Sequence, residues 1–324
     1  MTLPVFLFPG QGSQAIGMAK DLYEGSAAAR ALIDAADEAL APELGGRSLR
    51  GILFNGPEAE LVDTAIQQPA IVLASLAALE ALKEITGLAD LRPPATAGLS
   101  LGEYSALASA GAFSPLTAIR LVAIRGRLMA DAATRVKSSM ASIVADDLNM
   151  VAQVCAEVQA QRGAGAVVAP ANFNSPGQVA IAGDLDSLEA AIAALKAKGV
   201  RRIFPLKVSG AFHTTLMQPA VADLAKALEQ AEISPARTTV LANVSAQPVT
   251  TPAEIRSALI DQVTHPVLWS DSMQRLGATG HSQFVELGPG KVLAGLLKRT
   301  LKEAAIQPGG TLVEIQTLAK GFGN

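Results

Sequence analysis

The stretch Ala97-Gly98-Leu99-Ser100-Leu101-Gly102-Glu103-Tyr104-Ser105-Ala106-Leu107 decides the fold. A short apolar segment runs into Gly-x-Ser-x-Gly, and an amphipathic run follows. This is the pattern of a strand that turns sharply into a helix with a serine at the corner. Small residues two before and two after Ser100 matter because so tight a turn leaves no room for bulk. A serine held there projects its hydroxyl outward, and the helix N-terminus behind it offers backbone N–H groups to a developing oxyanion. The same five residues also suit a glycine-flanked turn with a helix-capping serine, so the motif is weighed against the rest of the chain.

Upstream, Val5-Phe6-Leu7-Phe8 is a continuous apolar run stopped by Pro9-Gly10, as a buried parallel strand would be. Gln11-Gly12-Ser13-Gln14 then forms a glycine-rich loop at the strand's C-terminal edge, where an open α/β sheet meets its ligands. No Gly-Lys-Ser/Thr follows, which excludes a Walker-type loop. Residues 27–40 have a helical pattern. Gln67-Gln68-Pro69-Ala70 is expected to open another helix with Pro69 in its first position. That helix is apolar almost all round, which implies burial between layers. Ser114-Pro115 starts a third, on which Arg120, Arg125 and Arg127 interleave with apolar positions. Two of these arginines are expected on a solvated face.

From about Ser138 the texture changes. Strands are expected at 140–144, 167–173, 178–182 and 202–207, and helices at 148–161 and 185–198. This β-α-β-β-α-β order is the split βαβ, ferredoxin-like unit, read as a subdomain over 138–207 inserted into a larger α/β body formed by 1–137 and 208–324. Beyond Val208 the α/β pattern resumes, with strands at 240–244 and 284–287 and helices at 216–231, 253–263, from 272 onward, and up to about 302. The tail after Gln307 has scattered glycine and is expected to be loosely held.

The chain has 324 residues, half of them apolar and 17% charged, ample for a large core. A formal charge of −3 and the lack of a Lys/Arg-rich stripe argue against nucleic acid. One cysteine, Cys155, excludes an internal disulfide and a cysteine-based zinc cluster, and its valine neighbours place it as a buried thiol on a helix. The first residues are too short and uncharged a run for a secretory signal, and the alanine-rich run from Ala70 is interrupted by Glu80 and Lys83. The expectation is a soluble cytoplasmic protein without a membrane partner.

A nucleophilic serine needs a base within hydrogen-bond reach, and the base needs an orienting acceptor. The chain has three histidines. His281 lies in a polar turn and His265 precedes Pro266, whereas His213 sits between a strand and a helix, at the edge where the Ser100 elbow must lie. His213 is the favoured base, with helix capping as its bland alternative. A hydrolase of this order would place an acid between serine and histidine. Asp184 falls in the inserted unit and no other acid stands out, so the acid is either absent or replaced by a neutral acceptor.

Phe8-Pro9-Gly10-Gln11-Gly12-Ser13-Gln14, Gly98-x-Ser100-Leu101-Gly102-Glu103-Tyr104, Arg125-Gly126-x-x-Met129, Phe212-His213-x-x-Leu216-Met217, Asn243-Val244 and Gly288-Pro289-Gly290-Lys291-Val292-Leu293 together resemble the malonyl-CoA:acyl carrier protein transacylases of fatty acid synthesis. The six segments run in order from residue 5 to about residue 300. The resemblance implies an α/β-hydrolase-like body with a mostly parallel sheet and a ferredoxin-like insert. It implies Ser100 as a nucleophile acylated by malonyl-CoA and relieved by the phosphopantetheine thiol of acyl carrier protein, with His213 as general base and acid. Gln11 and Leu101 would supply oxyanion-hole N–H groups, and the backbone carbonyl of Gln262 would replace the missing acid. Arg125 would hold the malonyl carboxylate through a bidentate pair, for which a planar guanidinium is suited. Phe212 and Asn172 join the substrate-binding set. No metal and no bound cofactor are implied beyond the coenzyme A thioester as substrate, and the protein is expected to be a monomer.

Two positions depart from or refine that pattern. Many relatives carry His before the nucleophile, where this chain has Leu99. Phe212, before the base, would crowd an α-methyl group and so favour malonyl over methylmalonyl. Three rival readings remain: a discrete acyltransferase serving a polyketide synthase, a serine esterase, and a non-enzymatic scaffold that binds carrier protein.

Overall fold

Val5–Phe8 is apolar and buried at all four positions, as a strand covered on both faces must be, and this strand, β1, is the centre of the larger of two sheets. The computed structural model describes residues 3–322. In chain order the further strands are β2 (Ala95–Gly98), β3 (Ser138–Val144), β4 (Val168–Ser175), β5 (Gln178–Asp184), β6 (Arg202–Pro205), β7 (Thr239–Leu241), β8 (Pro248–Val249), β9 (Gln283–Leu287) and β10 (Ala305–Gly309). Six form one sheet in the order β10-β9-β1-β2-β7-β8, parallel throughout except for the β7–β8 pair. The other four form a separate antiparallel sheet, β4-β5-β3-β6, which is the neighbour order of a split βαβ unit. The mixed α/β class expected from the sequence holds, with a mostly parallel sheet and a second, antiparallel one.

The two sheets are tied at defined points. Val267 donates its N–H to Ala171 and accepts from Phe173, both at 2.9 Å, which fastens β4 to the segment leading into the helix Trp269–Ala278. Ser138 Oγ, at the start of β3, accepts from Ala211 N–H at 3.1 Å and so anchors the loop that carries His213. The cleft between the sheets is therefore braced on both sides.

Helix α1 (Thr64–Thr86) is buried along most of its length and runs beside α3 (Pro115–Arg135), with α2 (Gly102–Ser109) between the Ser100 turn and both. By length and apolarity alone α1 could cross a membrane, but 89% of its most apolar stretch is covered by the rest of the protein. It starts at Thr64 and not at Gln67, because the Asp63 carboxylate caps it by accepting from Ala65 N–H. Pro69 thus lies inside the helix. Burial of the flanking turns outweighs the one main-chain bond that Pro cannot make.

The helix expected from 272 onward begins at Trp269, because Trp269, Met273 and Leu276 follow a helical spacing and are all buried. The strand expected over 240–244 ends at Leu241, and Asn243 turns away into polar contacts described below.

The expectation of a loose tail is corrected. Residues 305–309 pair in parallel with β9, and α4 (Leu312–Phe322) buries Ile315 and Leu318 while Phe322 stacks on Phe6 with ring centroids 6.5 Å apart. Gly309 and Gly310 mark close approach and not slack. A Cβ on Gly310 would stand 2.3 Å from the carbonyl oxygen of Gly288. Ile315 is fully buried, so Ile315→Ala is expected to lower the unfolding free energy by about 2–5 kcal/mol, read by chemical denaturation. A tail that merely lay on the surface would give no change.

Candidate active site

The Ser100 turn is possible only because its neighbours lack side chains. A Cβ on Gly98 would fall 1.9 Å from the Gly102 carbonyl oxygen, and one on Gly102 would fall 2.3 Å from that of Phe8. Ser100 itself takes φ 55°, the left-handed region that non-glycine residues rarely occupy. Asn243 holds it there, accepting from Ser100 N–H at 2.6 Å through Oδ1 and donating to Gly98 O at 2.8 Å through Nδ2.

His213, also left-handed at φ 60°, brings Nε2 to 2.8 Å from Ser100 Oγ. Its Nδ1 lies 2.7 Å from the backbone carbonyl of Gln262. A carbonyl can only accept, so Nδ1 carries the proton and Nε2 is left to accept from the serine hydroxyl. Burial disfavours the imidazolium, and the nearby Arg125 cation disfavours it further, lowering His213 to about 4. The ring is neutral at pH 7, as a base must be. His265 is exposed and bonded within its own loop, and Asp184 caps the helix Leu185–Ala197, so neither competes for the role.

Arg125 is the inward arginine of its helix, while Arg120 and Arg127 are exposed. It is 1% exposed, an unusual position for a guanidinium. One terminal nitrogen donates to Gln68 Oε1, and the other donates to Gln262 Oε1 at 2.9 Å and to Ser100 Oγ at 3.0 Å. Its charge centre lies 6.0 Å from the Tyr104 ring, and its Nε–H has no partner. Arg125 thus sets a buried cation with an unpartnered N–H within hydrogen-bond reach of Ser100 Oγ, although it is not among the residues that line the cavity described next.

A cavity of about 240 Å³ opens onto Ser100 and His213 between the two sheets. Gln11, Leu99, Phe212 and Asn172 line it, together with apolar side chains such as Met129 and Leu206. Leu101 and Gln262 are fully buried behind Ser100 and do not form its wall. Among the described residues no protein acceptor takes the N–H of Gln11 or Leu101 outside regular secondary structure, which leaves both able to serve an oxyanion.

Three residues here carry no role in the sequence reading. Gln68 binds Arg125, Asn243 braces the elbow, and Glu103 accepts from Gln262 Nε2 at 2.6 Å and from Asn243 N–H at 3.1 Å. Burial pushes Glu103 up to about 7, against the pull of the Gln262 and Asn243 hydrogen bonds and of Arg125. Gln262 also has a second part to play, because its side-chain Nε2 donates to Ser100 O at 3.0 Å. Glu103 and Asn243 stand inside motifs legible in the sequence, but their partners lie some 140 residues away.

A serine on an elbow, a neutral histidine and a buried cation thus meet at one point. Residues 5–320 match the acyl transferase domain family. Over 322 residues the chain is 42% identical to the malonyl CoA-acyl carrier protein transacylase of Bacillus subtilis, covering 98% of each. Over 299 residues it is 40% identical to that of Escherichia coli, covering 92% of this chain and 93% of the relative. The crystal structure of the acyl-carrier-protein-S-malonyltransferase of Bartonella henselae superposes with a TM-score of 0.92 at 37% identity, with both chains fully covered. A malonyl-transacylase in complex with its type II PKS acyl-carrier protein superposes at 0.90 with 36% identity, covering 99% of this chain and 100% of that one. The chain belongs to the malonyl CoA-acyl carrier protein transacylase family.

An NMR titration of the His213 ring is expected to show a midpoint near 4, and in Arg125→Ala a higher one, because removing the cation relieves the imidazolium. A wild-type midpoint at the ordinary 6.5 would show that the ring is not desolvated as described.

Proposed function

We propose that the protein transfers a malonyl group from malonyl-CoA to the phosphopantetheine thiol of acyl carrier protein through an ester on Ser100. The observation that carries this reading beyond family membership is the buried Arg125 guanidinium 3.0 Å from Ser100 Oγ. His213 Nε2 takes the Ser100 proton as Oγ attacks the thioester carbonyl. The oxyanion forms beside the N–H groups of Gln11 and Leu101. Collapse breaks the C–S bond, and the coenzyme A thiolate takes the proton from His213 Nε2 and leaves as the thiol, so that the ring is neutral again. The carrier thiol then gives its proton to Nε2 and attacks the serine ester, and collapse of that second intermediate breaks the C–O bond to Ser100, whose Oγ recovers the proton from His213.

Arg125 supports the choice of acyl group. A malonyl carboxylate meeting the spare Nε–H and the nitrogen that faces Ser100 gains a charge-assisted pair, whereas an unpaired carboxylate would cost several kcal/mol to bury. A neutral acyl group offers nothing in exchange. Phe212, on the cavity wall beside the base, supports malonyl over methylmalonyl. Asn172, which also lines the cavity, joins the substrate-binding set in this reading. The reaction needs no bound cofactor in this scheme, and a cytoplasmic monomer goes with it.

A second reading, supply of malonyl units to a polyketide synthase, is favoured by the likeness to the transacylase complexed with a type II PKS carrier protein. An esterase reading fits poorly, since a neutral ester has no use for Arg125. Incubation with malonyl-CoA is expected to leave one malonyl adduct on intact mass, discharged by carrier protein, and Ser100→Ala is expected to take none. An adduct on Ser100→Ala would overturn the nucleophile. Transfer rates to carrier proteins of the two pathways separate the two readings.

A further inference from the structure

The amide of Gln262 is caught between a carboxylate and a guanidinium. Its Nε2 donates to Glu103 Oε2 at 2.6 Å and its Oε1 accepts from Arg125 at 2.9 Å. Turned end for end, the amide would set its NH₂ against the guanidinium and its oxygen against the carboxylate, two unfavourable contacts in a buried site. Glu103 is fully buried and makes its two hydrogen bonds to Gln262 and to the main chain of Asn243. Its other oxygen has no partner. A carboxyl group half-satisfied at such depth costs stability, and it touches neither Ser100 Oγ nor His213.

We propose that Glu103 is a positioning residue for malonyl transfer: it fixes the orientation of the Gln262 side-chain amide, which in turn holds the Arg125 guanidinium beside Ser100. The inference rests on the malonyl-transfer reading and deepens it. Arg125 sits at the end of a flexible side chain, with three groups directing it: Gln68, Ser100 Oγ and Gln262. When a substrate carboxylate draws the guanidinium from Ser100, Gln68 and Gln262 are the partners that remain. The direction in which Gln262 presents its oxygen therefore decides where the cation rests during acylation. Asn243 receives the same carboxylate on its main chain and holds the Ser100 elbow through its side chain, so one group registers the cation and the nucleophile against each other.

The test compares wild type, Glu103→Gln, Gln262→Leu and the double variant, with kcat and KM measured separately for malonyl-CoA and acetyl-CoA. Glu103→Gln is expected to lower kcat/KM for malonyl-CoA about tenfold while acetyl-CoA, which makes no use of Arg125, changes by less than about threefold. In the Gln262→Leu background the same change is expected to cost less than about twofold, because the path through the amide is already lost. A general structural role predicts equal losses for both acyl donors and multiplicative effects of the two substitutions, and either result overturns the inference. So does a gain for malonyl-CoA, which is the outcome if Glu103 acts only as a negative charge that weakens Arg125 for other anions. Glu103→Asp, which keeps the charge but withdraws it by one methylene, is expected to lose malonyl preference as Glu103→Gln does, and serves where the latter does not fold. A wild type that takes no malonyl group on Ser100 overturns the malonyl-transfer reading itself; failure confined to the variants overturns the role of Glu103 alone.

Discussion

A guanidinium buried beside Ser100 is the constraint on which the rest of this structure turns. Removing such a charge from water is costly unless hydrogen bonds replace those to water. The replacements come from separate parts of the chain, Gln68 on α1, Gln262 at the end of the helix Pro252–Asp261 and Ser100 at the elbow, while the Tyr104 ring on α2 offers its face to the cation. Those elements must converge on one point, and their packing into one large apolar cluster follows. The cation then imposes itself on its neighbours. It depresses His213 and partly offsets the effect of burial on Glu103.

The second sheet is what turns this point into a site. Without it Ser100 would face solvent across an open edge. With β4 fastened at Val267 and β3 at Ala211, the gap between the sheets becomes a cavity lined by apolar side chains such as Met129 and Leu206 and by polar ones such as Asn172. Ser100 lies at the C-terminal end of β2, the edge at which open α/β sheets receive ligands.

The elbow was legible because sterics alone dictate it: only glycine fits at 98 and 102. The helical pattern left open which of Arg120, Arg125 and Arg127 faces inward, and Arg125 was singled out by the family resemblance alone. His213 emerged by scarcity. The start of α1 was not legible, because a capping Asp63 and a proline compete as signals and burial settles the outcome. The tail misled because glycine reads as slack whether it marks looseness or close approach. The contacts among Glu103, Gln262 and Asn243 could not be read at all. They join residues about 140 to 160 apart, and no local period encodes such a pairing.

The histidine is backed by a carbonyl dipole and not by a carboxylate, and this bears on how long the ring keeps a proton. A ring with a pKa of about 4 is a weak base. A carbonyl carries no full charge to stabilise an imidazolium, while burial and the Arg125 cation both oppose one. In the proposed scheme the proton that the ring takes from Ser100 is therefore held only loosely and passes readily to the departing thiolate.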